Sequence, residues 1–597
     1  MILDSMPMLA STAAVLGVEC SIGGKLWRSR LSSDRAALAL SQKFDLPDVL
    51  GRVLAARGVG PDDAETYLSP TIRDSMPDPS LLRDMDEAAA RLADAIERDE
   101  LIAVFGDYDV DGATASALVR LYLEAVGGRA RPYIPDRLTE GYGPNAPALA
   151  RLRAEGAAVV VTVDCGTAAH APLEAARADG LDVIVIDHHQ SGPDLPATTA
   201  LVNPNRLDDD SGQGALAAVG VAFLLVVALN RVLRARGRFA NRKEPDLVQW
   251  LDLVALGTVC DMVPLVGLNR AFVTQGLKIL ARRGNPGLAA LIDVARIDET
   301  PAAFHAGFLL GPRINAGGRV GESDLGHRLL VSRAISEALP IAERLDRLNE
   351  ERKAIEARML EEALDSVERV GAASRTVLMV SGEGWHPGVI GLIASRMVER
   401  YGRPAFALAW DGDMGKGSAR SVAGFDIGAA ITAARQAGLV SEGGGHAMAA
   451  GLTIARGKFD AFADFVEDRL QRADVSMQPS LGVDAAMSVG GATTDLYRLL
   501  DRAGPYGSGN PEPRFALSAC RVEYAKVVGS GHVSCRLAAE GKNRLKAIAF
   551  RSADSEVGQA ILEAAGRPLH FAGHLRADRW NNRDGVQLIV EDVARVA

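Results

Sequence analysis

Asp187-His188-His189 sets three side chains with affinity for divalent cations directly after the apolar run Val183-Ile-Val-Ile186. A single histidine beyond a strand is ordinarily a polar cap. An aspartate and two adjacent histidines at one strand end point instead to a metal or phosphate site. A second acidic group lies upstream, in Gly106-Asp107-Tyr-Asp109-Val-Asp111-Gly112. Capping a helix uses one carboxylate, whereas three crowded together repel unless a cation neutralises them. Alternating aspartates also suggest a calcium loop, but that loop needs a glutamate at its twelfth position. Counting from Asp107, that position is Leu118, so the calcium-loop reading fails. Asp164 follows the run Val159-Val-Val-Thr-Val163, and Asp261 closes the apolar stretch that begins at Leu251. Four elements, each read as a strand, thus deliver Asp109 and Asp111 with Asp107 beside them, Asp164, His188 and His189, and Asp261 toward one edge. Hard oxygen ligands with one or two imidazoles and no thiolate suit Mn²⁺ or Mg²⁺ rather than a structural zinc.

The elements that must position these residues follow from the same runs. Continuous β-branched stretches suit strands buried on both faces of a parallel sheet. Ligands of such sheets sit beyond the carboxyl ends of the strands. Alternation of the runs with helical segments predicts an α/β fold with a doubly wound parallel sheet. We expect an N-terminal helical cap over residues 1–80, the catalytic domain over 81–335 and a connector helix over 336–372. A second α/β domain over 373–475 and a β-rich domain over 476–597 complete the chain. The connector contains Ala342-Glu-Arg-Leu-Asp-Arg-Leu-Asn-Glu-Glu-Arg-Lys353, too polar for a core helix and suited to bridging domains through solvent.

In the second α/β domain, Gly415-Lys416-Gly-Ser418-Ala-Arg420-Ser421 and Gly443-Gly-Gly-His446 read as flexible loops whose amides and side chains can meet an anion. Simple loop flexibility is the plainer alternative. Five short strands at 515–522, 532–537, 544–550, 569–575 and 585–590 suggest a small OB-type barrel, a platform for single-stranded nucleic acid. Tyr506 and Trp580 could stack on bases there, with Arg514, Lys542, Lys546 and Arg579 on phosphates. For each aromatic taken singly, core packing is the competing reading.

Composition sets outer bounds. The 597 residues carry a formal net charge of −10, so any nucleic-acid site must be a local basic surface. The five cysteines are scattered without a CxxC pair, which fits a reducing cytoplasm rather than a disulfide framework. The first 24 residues lack a basic segment ahead of their apolar positions and are interrupted by Asp4 and Glu19, which argues against a signal peptide or membrane anchor.

Taken in order, Gly106-Asp-Tyr-Asp-Val-Asp-Gly112, Asp164-Cys-Gly166, Asp187-His-His189, Ala255-Leu-Gly-Thr-Val-Cys-Asp-Met-Val-Pro264, Gly311-Pro-Arg313-Ile-Asn315-Ala-Gly-Gly-Arg319 and Gly443-Gly-Gly-His446 resemble the DHH phosphoesterase superfamily. The likeness runs through nearly the whole chain and narrows to the branch of single-strand-specific exonucleases. It implies a DHH domain, a DHHA1 domain closing over the substrate and an OB-type barrel. It also implies two-metal hydrolysis of single-stranded DNA from the 5′ end in repair and recombination. Small phosphatases of the superfamily carry a histidine where this chain has Phe105, and Asp107 stands nearby as the replacement.

On this resemblance, two ions about 3.5–4 Å apart hold the scissile phosphate. Asp164 bridges them, Asp109 completes the first ion's protein ligands with Asp107 either a further ligand or a partner behind them, and Asp111, His188 and Asp261 hold the second ion. Adjacent strand residues point apart, so His189 is assigned to the phosphate or leaving group, with Asp187 orienting the site. Arg137, Arg313, Asn315, Ser418, Arg420, Ser421 and His446 are assigned to substrate, with Arg137, Ser418 and Arg420 reading a 5′-terminal phosphate. Single-strand-binding protein and a RecQ-type helicase are expected partners through the resemblance only. A phosphodiesterase acting on short oligoribonucleotides or cyclic dinucleotides is the second reading, and the C-terminal β-rich domain argues against it. A non-catalytic replication factor is the third, and the intact ligand set argues against that.

Overall fold

The computed structural model describes residues 14–370, 375–473, 479–539, 543–564, 566–578 and 585–596. Five parallel strands form the first sheet, in the spatial order Arg129–Tyr133, Leu101–Gly106, Ala157–Val163, Asp182–Ile186, Ala200–Val202. Val104, Val161, Val163, Ile184 and Ile186 bury one face against a helical layer that includes Val110–Ala125 and Ala218–Ala235. Phe105, Val160, Val185 and Leu201 bury the other against Ala146–Ala154 and His170–Ala178. This is the doubly wound arrangement that the apolar runs predict. Strand order reverses at Leu101–Gly106, which opens a crevice beside Ala157–Val163, the place where such sheets bind ligands.

Three parts of the expected architecture change. The stretch before Asp261 is the helix Leu251–Cys260, not a strand. Its residues Leu251 to Thr258 are buried all round, so an apolar run carries no period to distinguish helix from strand. The glycine-rich anion loops are strands. Met414–Arg420 pairs with Ala405–Asp411 and Ala449–Ala455, and Glu442–His446 forms the edge of the same five-stranded sheet. Gly415 and Gly417 lie in that sheet because a Cβ would fall 2.5 Å from the Trp410 ring and 2.9 Å from Leu452. Finally, the connector helix Ile335–Val370 is not simply solvent-bridging: Ala338, Ala342, Leu345 and Leu348 enter the catalytic core, and Met359, Ala363 and Val367 enter the second.

Strands Arg514–Val528, His532–Ala538, Arg544–Ala549, Gly585–Arg595 and Pro568–Asp578 close into a barrel through pairing of the first with the last. The N-terminal helices share this barrel's core, where Leu40, Leu50 and Leu54 pack with Phe515 and Phe571. Leu26–Ser29 pairs in parallel with Ser480–Val483, and buried Trp27 donates its indole N–H to Asp592 at 2.8 Å. The helix Ala218–Ala235 is apolar and long enough to cross a membrane, but 72% of it is buried within the fold, as befits a core helix.

Candidate active site

Strand register sets the site. Gly106, Val163 and Ile186 are neighbours at the carboxyl ends of three adjacent strands, so Asp107, Asp164 and Asp187 emerge side by side. Asp109 caps the helix Val110–Ala125, its carboxylate accepting from Gly112 N–H at 3.0 Å. Gly112 is required there, since a Cβ would sit 2.5 Å from the Asp107 carbonyl oxygen. Asp111, in the first turn of that helix, accepts from the Ala218 and Val219 amides at 2.7 and 2.9 Å. Asp261 arrives as the C-cap of Leu251–Cys260. Gly257 lets that helix approach, because a Cβ would lie 2.3 Å from Thr114 and 3.0 Å from Asp111.

Ligand atoms of Asp107, Asp109 and Asp164 lie within 4.8 Å of one another, as do those of Asp111, His188 and Asp261. The groups meet where His188 Nε2 stands 3.3 Å from Asp164, 3.6 Å from Asp261 and 4.0 Å from Asp111. Buried atoms Asp107 Oδ1, His188 Nε2 and Asp261 Oδ2 have no hydrogen-bond partner among the described residues. Burial, then the charge of Asp109, pushes the Asp107 and Asp164 carboxyls well above their ordinary range and Asp111 up to about 7. Burial, then Asp111 and Asp109, raises Asp261 likewise. Burial, then His189, lowers His188 to about 4, leaving the neutral imidazole that ligates metal. Orphaned acceptors, mutual repulsion and a neutral imidazole all fit divalent cations. Asp164 adopts φ 63°, a left-handed conformation costly for a residue with a Cβ and common at functional sites.

His189 lies beside its neighbour, with ring centroids 4.6 Å apart, and its ligand atom lies within 4.8 Å of those of His188 and Asp164. Its Nδ1 lies 2.7 Å from Asp187, which also accepts from the His188, His189 and Thr167 amides. Burial alone would raise Asp187, but the His189 hydrogen bond and the nearby histidines hold it below the usual carboxylate range. Burial opposes charge on His189, and Asp187 more than offsets it, so the imidazole is raised. His446 reaches this ring from the second sheet, with centroids 6.3 Å apart. Sequence reasoning missed the supports around this turn. Tyr142 donates to the Asp164 carbonyl at 2.9 Å and lies 3.3 Å from His189 Nδ1, while Asn203 and Asn205 donate to the carbonyls of His189 and His188. Glycines on both sides of Tyr142 were its only sequence signal.

Beside the first group opens a cleft of about 480 Å³, lined by Tyr108, Arg137, Arg319, Lys416, Ser418 and Arg420, with Glu442 also on its wall. Arg137 lies over the Tyr108 ring at 4.8 Å, and Arg420 donates to Ser418 and the Ala419 carbonyl. Burial, then Arg137, Arg352 and Arg420, lowers Arg319 to about 10. Arg137, Arg319 and Arg420 form no ion pair among the described residues, so like charges are held together without a paired carboxylate, an arrangement suited to an anion. Arg319 belongs to the quoted Gly311–Arg319 motif, yet it was passed over for Arg313 and Asn315.

Several expected substrate contacts take other roles. Arg313 pairs with Asp346 at 2.8 Å and bonds the Leu309 carbonyl, fixing the connector helix; Asn315 lies half-buried on the same helix as Arg313. Ser421 is buried and donates to the Phe425 carbonyl, so it does not face the cleft. Tyr506 is half-buried against the barrel core and donates its hydroxyl to the Leu500 carbonyl. Arg514 and Lys546 are paired with Glu591 and Asp578. Trp580, Lys542 and Arg579 lie outside the described residues. Phe105 is buried and stacks on Tyr133 at 5.1 Å, while Asp107 joins the carboxylates.

A doubly wound sheet with this edge, faced by a second α/β domain, defines a metal-dependent phosphoesterase of the DHH class. The profile of the DHH family, N-terminal domain, matches residues 101–258, that of the DHHA1 domain 373–472 and that of the RecJ OB domain 483–592. The single-stranded-DNA-specific exonuclease RecJ of Dickeya dadantii is 38% identical over 563 residues, which is 92% of this chain and 96% of that protein. The Escherichia coli protein of the same name is 38% identical over 565 residues, again 92% and 96%. The crystal structure of RecJ in complex with Mn²⁺ from Thermus thermophilus aligns with a TM-score of 0.80 at 30% identity, covering 94% of this chain and 78% of that one. The chain belongs to the RecJ family of single-stranded-DNA-specific exonucleases.

Proposed function

We propose that this protein hydrolyses single-stranded DNA from the 5′ end, releasing nucleotides, with Mn²⁺ or Mg²⁺ held by Asp107, Asp109, Asp111, Asp164, His188 and Asp261. One observation carries the reading: Tyr108, which lines the arginine cleft, stands in sequence between two of the clustered carboxylates. A terminal phosphate gripped by Arg137, Ser418 and Arg420 would therefore lie a short, fixed distance from the metal site. Divalent ions there would supply charge for the scissile phosphate and a nucleophile near neutral pH. Asp164 is placed to serve both ligand groups. His189, oriented by its Nδ1 contact with Asp187 at 2.7 Å, would stabilise charge on the phosphate or leaving group. Tyr142, Asn203 and Asn205 hold the turn that carries both histidines.

The C-terminal barrel favours a polymer over short oligoribonucleotides or cyclic dinucleotides, which offer it nothing to bind. Single-strand-binding protein and a RecQ-type helicase in the cytoplasm remain the partners that family likeness suggests. The test is to incubate the protein with end-labelled single-stranded and duplex DNA, with Mn²⁺, Mg²⁺ or chelator, and sequence the products. Metal-dependent shortening of single strands from the 5′ end is expected. Internal cuts, equal rates on duplex, or activity in chelator would refute it.

A further inference from the structure

Phe304 and Phe308 are exposed at 48% and 67%, yet their rings stack on each other, with centroids 5.2 Å apart and planes 24° from parallel. They flank the start of a π-helical turn, Ala306–Leu310, a rare element that tends to mark functional sites. His305 anchors the turn, its Nδ1 accepting from Ala302 N–H at 2.9 Å and its Nε2 3.1 Å from Glu299. The turn lies against the end of the helix that carries Asp261: Cys260 Sγ donates to the Ala306 carbonyl at 3.5 Å, and a Cβ on Gly307 would stand 3.3 Å from Val259. From the barrel, Arg576, held by Glu512, places its guanidinium 5.9 Å from the Phe304 ring.

These contacts give the site a direction. The arginine cleft adjoins the Asp107, Asp109 and Asp164 group through Tyr108. Asp111, His188 and Asp261 form the other group, and the turn that carries the phenylalanine pair touches Cys260, the residue before Asp261, whereas neither phenylalanine lines the cleft. If the 5′ end sits in the cleft, the remaining strand leaves past Asp261. The geometry points to Phe304 and Phe308 as a stacking platform for nucleobases on the 3′ side of the cut, an inference that rests on the function proposed above. Stacking tolerates any base, because each has a π face. A flat aromatic pair on the barrel-facing side suits a single strand better than a duplex, whose bases are already stacked.

The test compares Phe304→Ala/Phe308→Ala, Phe304→Leu/Phe308→Leu and Phe304→Tyr/Phe308→Tyr on a 5′-phosphorylated thirty-nucleotide strand and a 5′-phosphorylated dinucleotide. Anisotropy of the long strand in Ca²⁺ measures binding without turnover. The Ala and Leu pairs should weaken binding and raise KM on the long strand about tenfold. kcat, the dinucleotide and the melting temperature should not change, and the Tyr pair should behave as the parent. Abasic sites along the long strand should weaken the parent and leave the Ala pair unaffected. A Leu pair equal to the parent, or an Ala pair with parental affinity, overturns the platform and leaves the patch as a protein-docking surface. Failure of the parent to cleave either substrate with metal defeats the underlying function instead, and the platform with it.

Discussion

Arg420→Ala separates end recognition from general DNA binding. Arg420 spends part of its guanidinium on Ser418 at 3.2 Å and the Ala419 carbonyl at 2.8 Å. A guanidinium has five N–H donors, which leaves the others for the cleft it shares with Arg137 and Arg319. Losing a hydrogen bond to a charged partner costs roughly 1.5–3 kcal/mol, equivalent to about a 10- to 150-fold fall in kcat/KM. The fall should appear on strands with a 5′-phosphate and be nearly absent on those with a 5′-hydroxyl. Arg137→Ala should show a smaller version, and Arg420→Lys should recover part of the rate, since lysine supplies charge without the fork. Burial, then Arg137, lowers Arg420, so removing its charge relieves strain between like groups and the melting temperature should not drop. The assay is single-turnover degradation of matched strands differing only at the 5′ end, with thermal melting alongside. Equal losses on both ends together with a lower melting temperature would refute the reasoning and make Arg420 a structural residue.

Asp164→Ala should abolish hydrolysis while keeping most affinity for single strands, and it should shrink the rise in melting temperature that Mn²⁺ gives the parent; near-normal turnover at saturating Mn²⁺ would sink the shared-ligand role. In chelator, stability should fall between about pH 4 and pH 7: Asp111 is raised from 3.8 to about 7, so the folded chain keeps a proton that the unfolded chain has lost. That contribution is full below the unfolded value and lost as pH rises through the folded one, on the order of 4 kcal/mol, and calorimetry with added Mn²⁺ should show the fall cancelled. Gly257→Ala should cost about 1–3 kcal/mol by overpacking and weaken Mn²⁺ binding, because its Cβ would press on Thr114, Val219 and Asp111; denaturant titration and metal titration read the two effects.

Three of the five strands of the catalytic sheet were legible because they are apolar runs ending abruptly in aspartate, a signal that needs no tertiary information; Arg129–Tyr133 and Ala200–Val202 carry no such signal. Part of the acidic cluster was legible for the same reason: Asp107, Asp164 and Asp187 are each the next residue after a strand, and register aligns them. Met414–Arg420 was misread because glycine is depleted in strands, and only the Trp410 and Leu452 side chains beneath it explain why glycine is there. Tyr506 and Arg313 were assigned to substrate on residue type alone. Their partners, the Leu500 carbonyl and Asp346, are supplied by the fold, and residue type does not reveal them.

Asp261 shows why the remaining discrepancy matters for function. A ligand at a strand end is fixed by the sheet, whereas a ligand at a helix C-cap is fixed by whatever holds that helix and the loop after it. Here the loop is held from far away in sequence. Leu265 N–H donates to the Ser508 carbonyl at 2.8 Å, and Gly509 packs so close to Pro264 that a Cβ would lie 2.8 Å from its ring. Buried Arg270, in the helix that follows, stacks on Tyr67 at 3.7 Å and donates to the Tyr67, Ala503 and Gly504 carbonyls. Residues 503–509 belong to the segment leading into the barrel, and Tyr67 packs against the barrel's core. Asp261, a candidate ligand of the second group, is therefore positioned by the N-terminal helices and the barrel together. The strand ends carry Asp107, Asp164 and His188 and the helix Val110–Ala125 carries Asp109 and Asp111, but bringing Asp261 to them requires both ends of the chain to be folded onto the sheet.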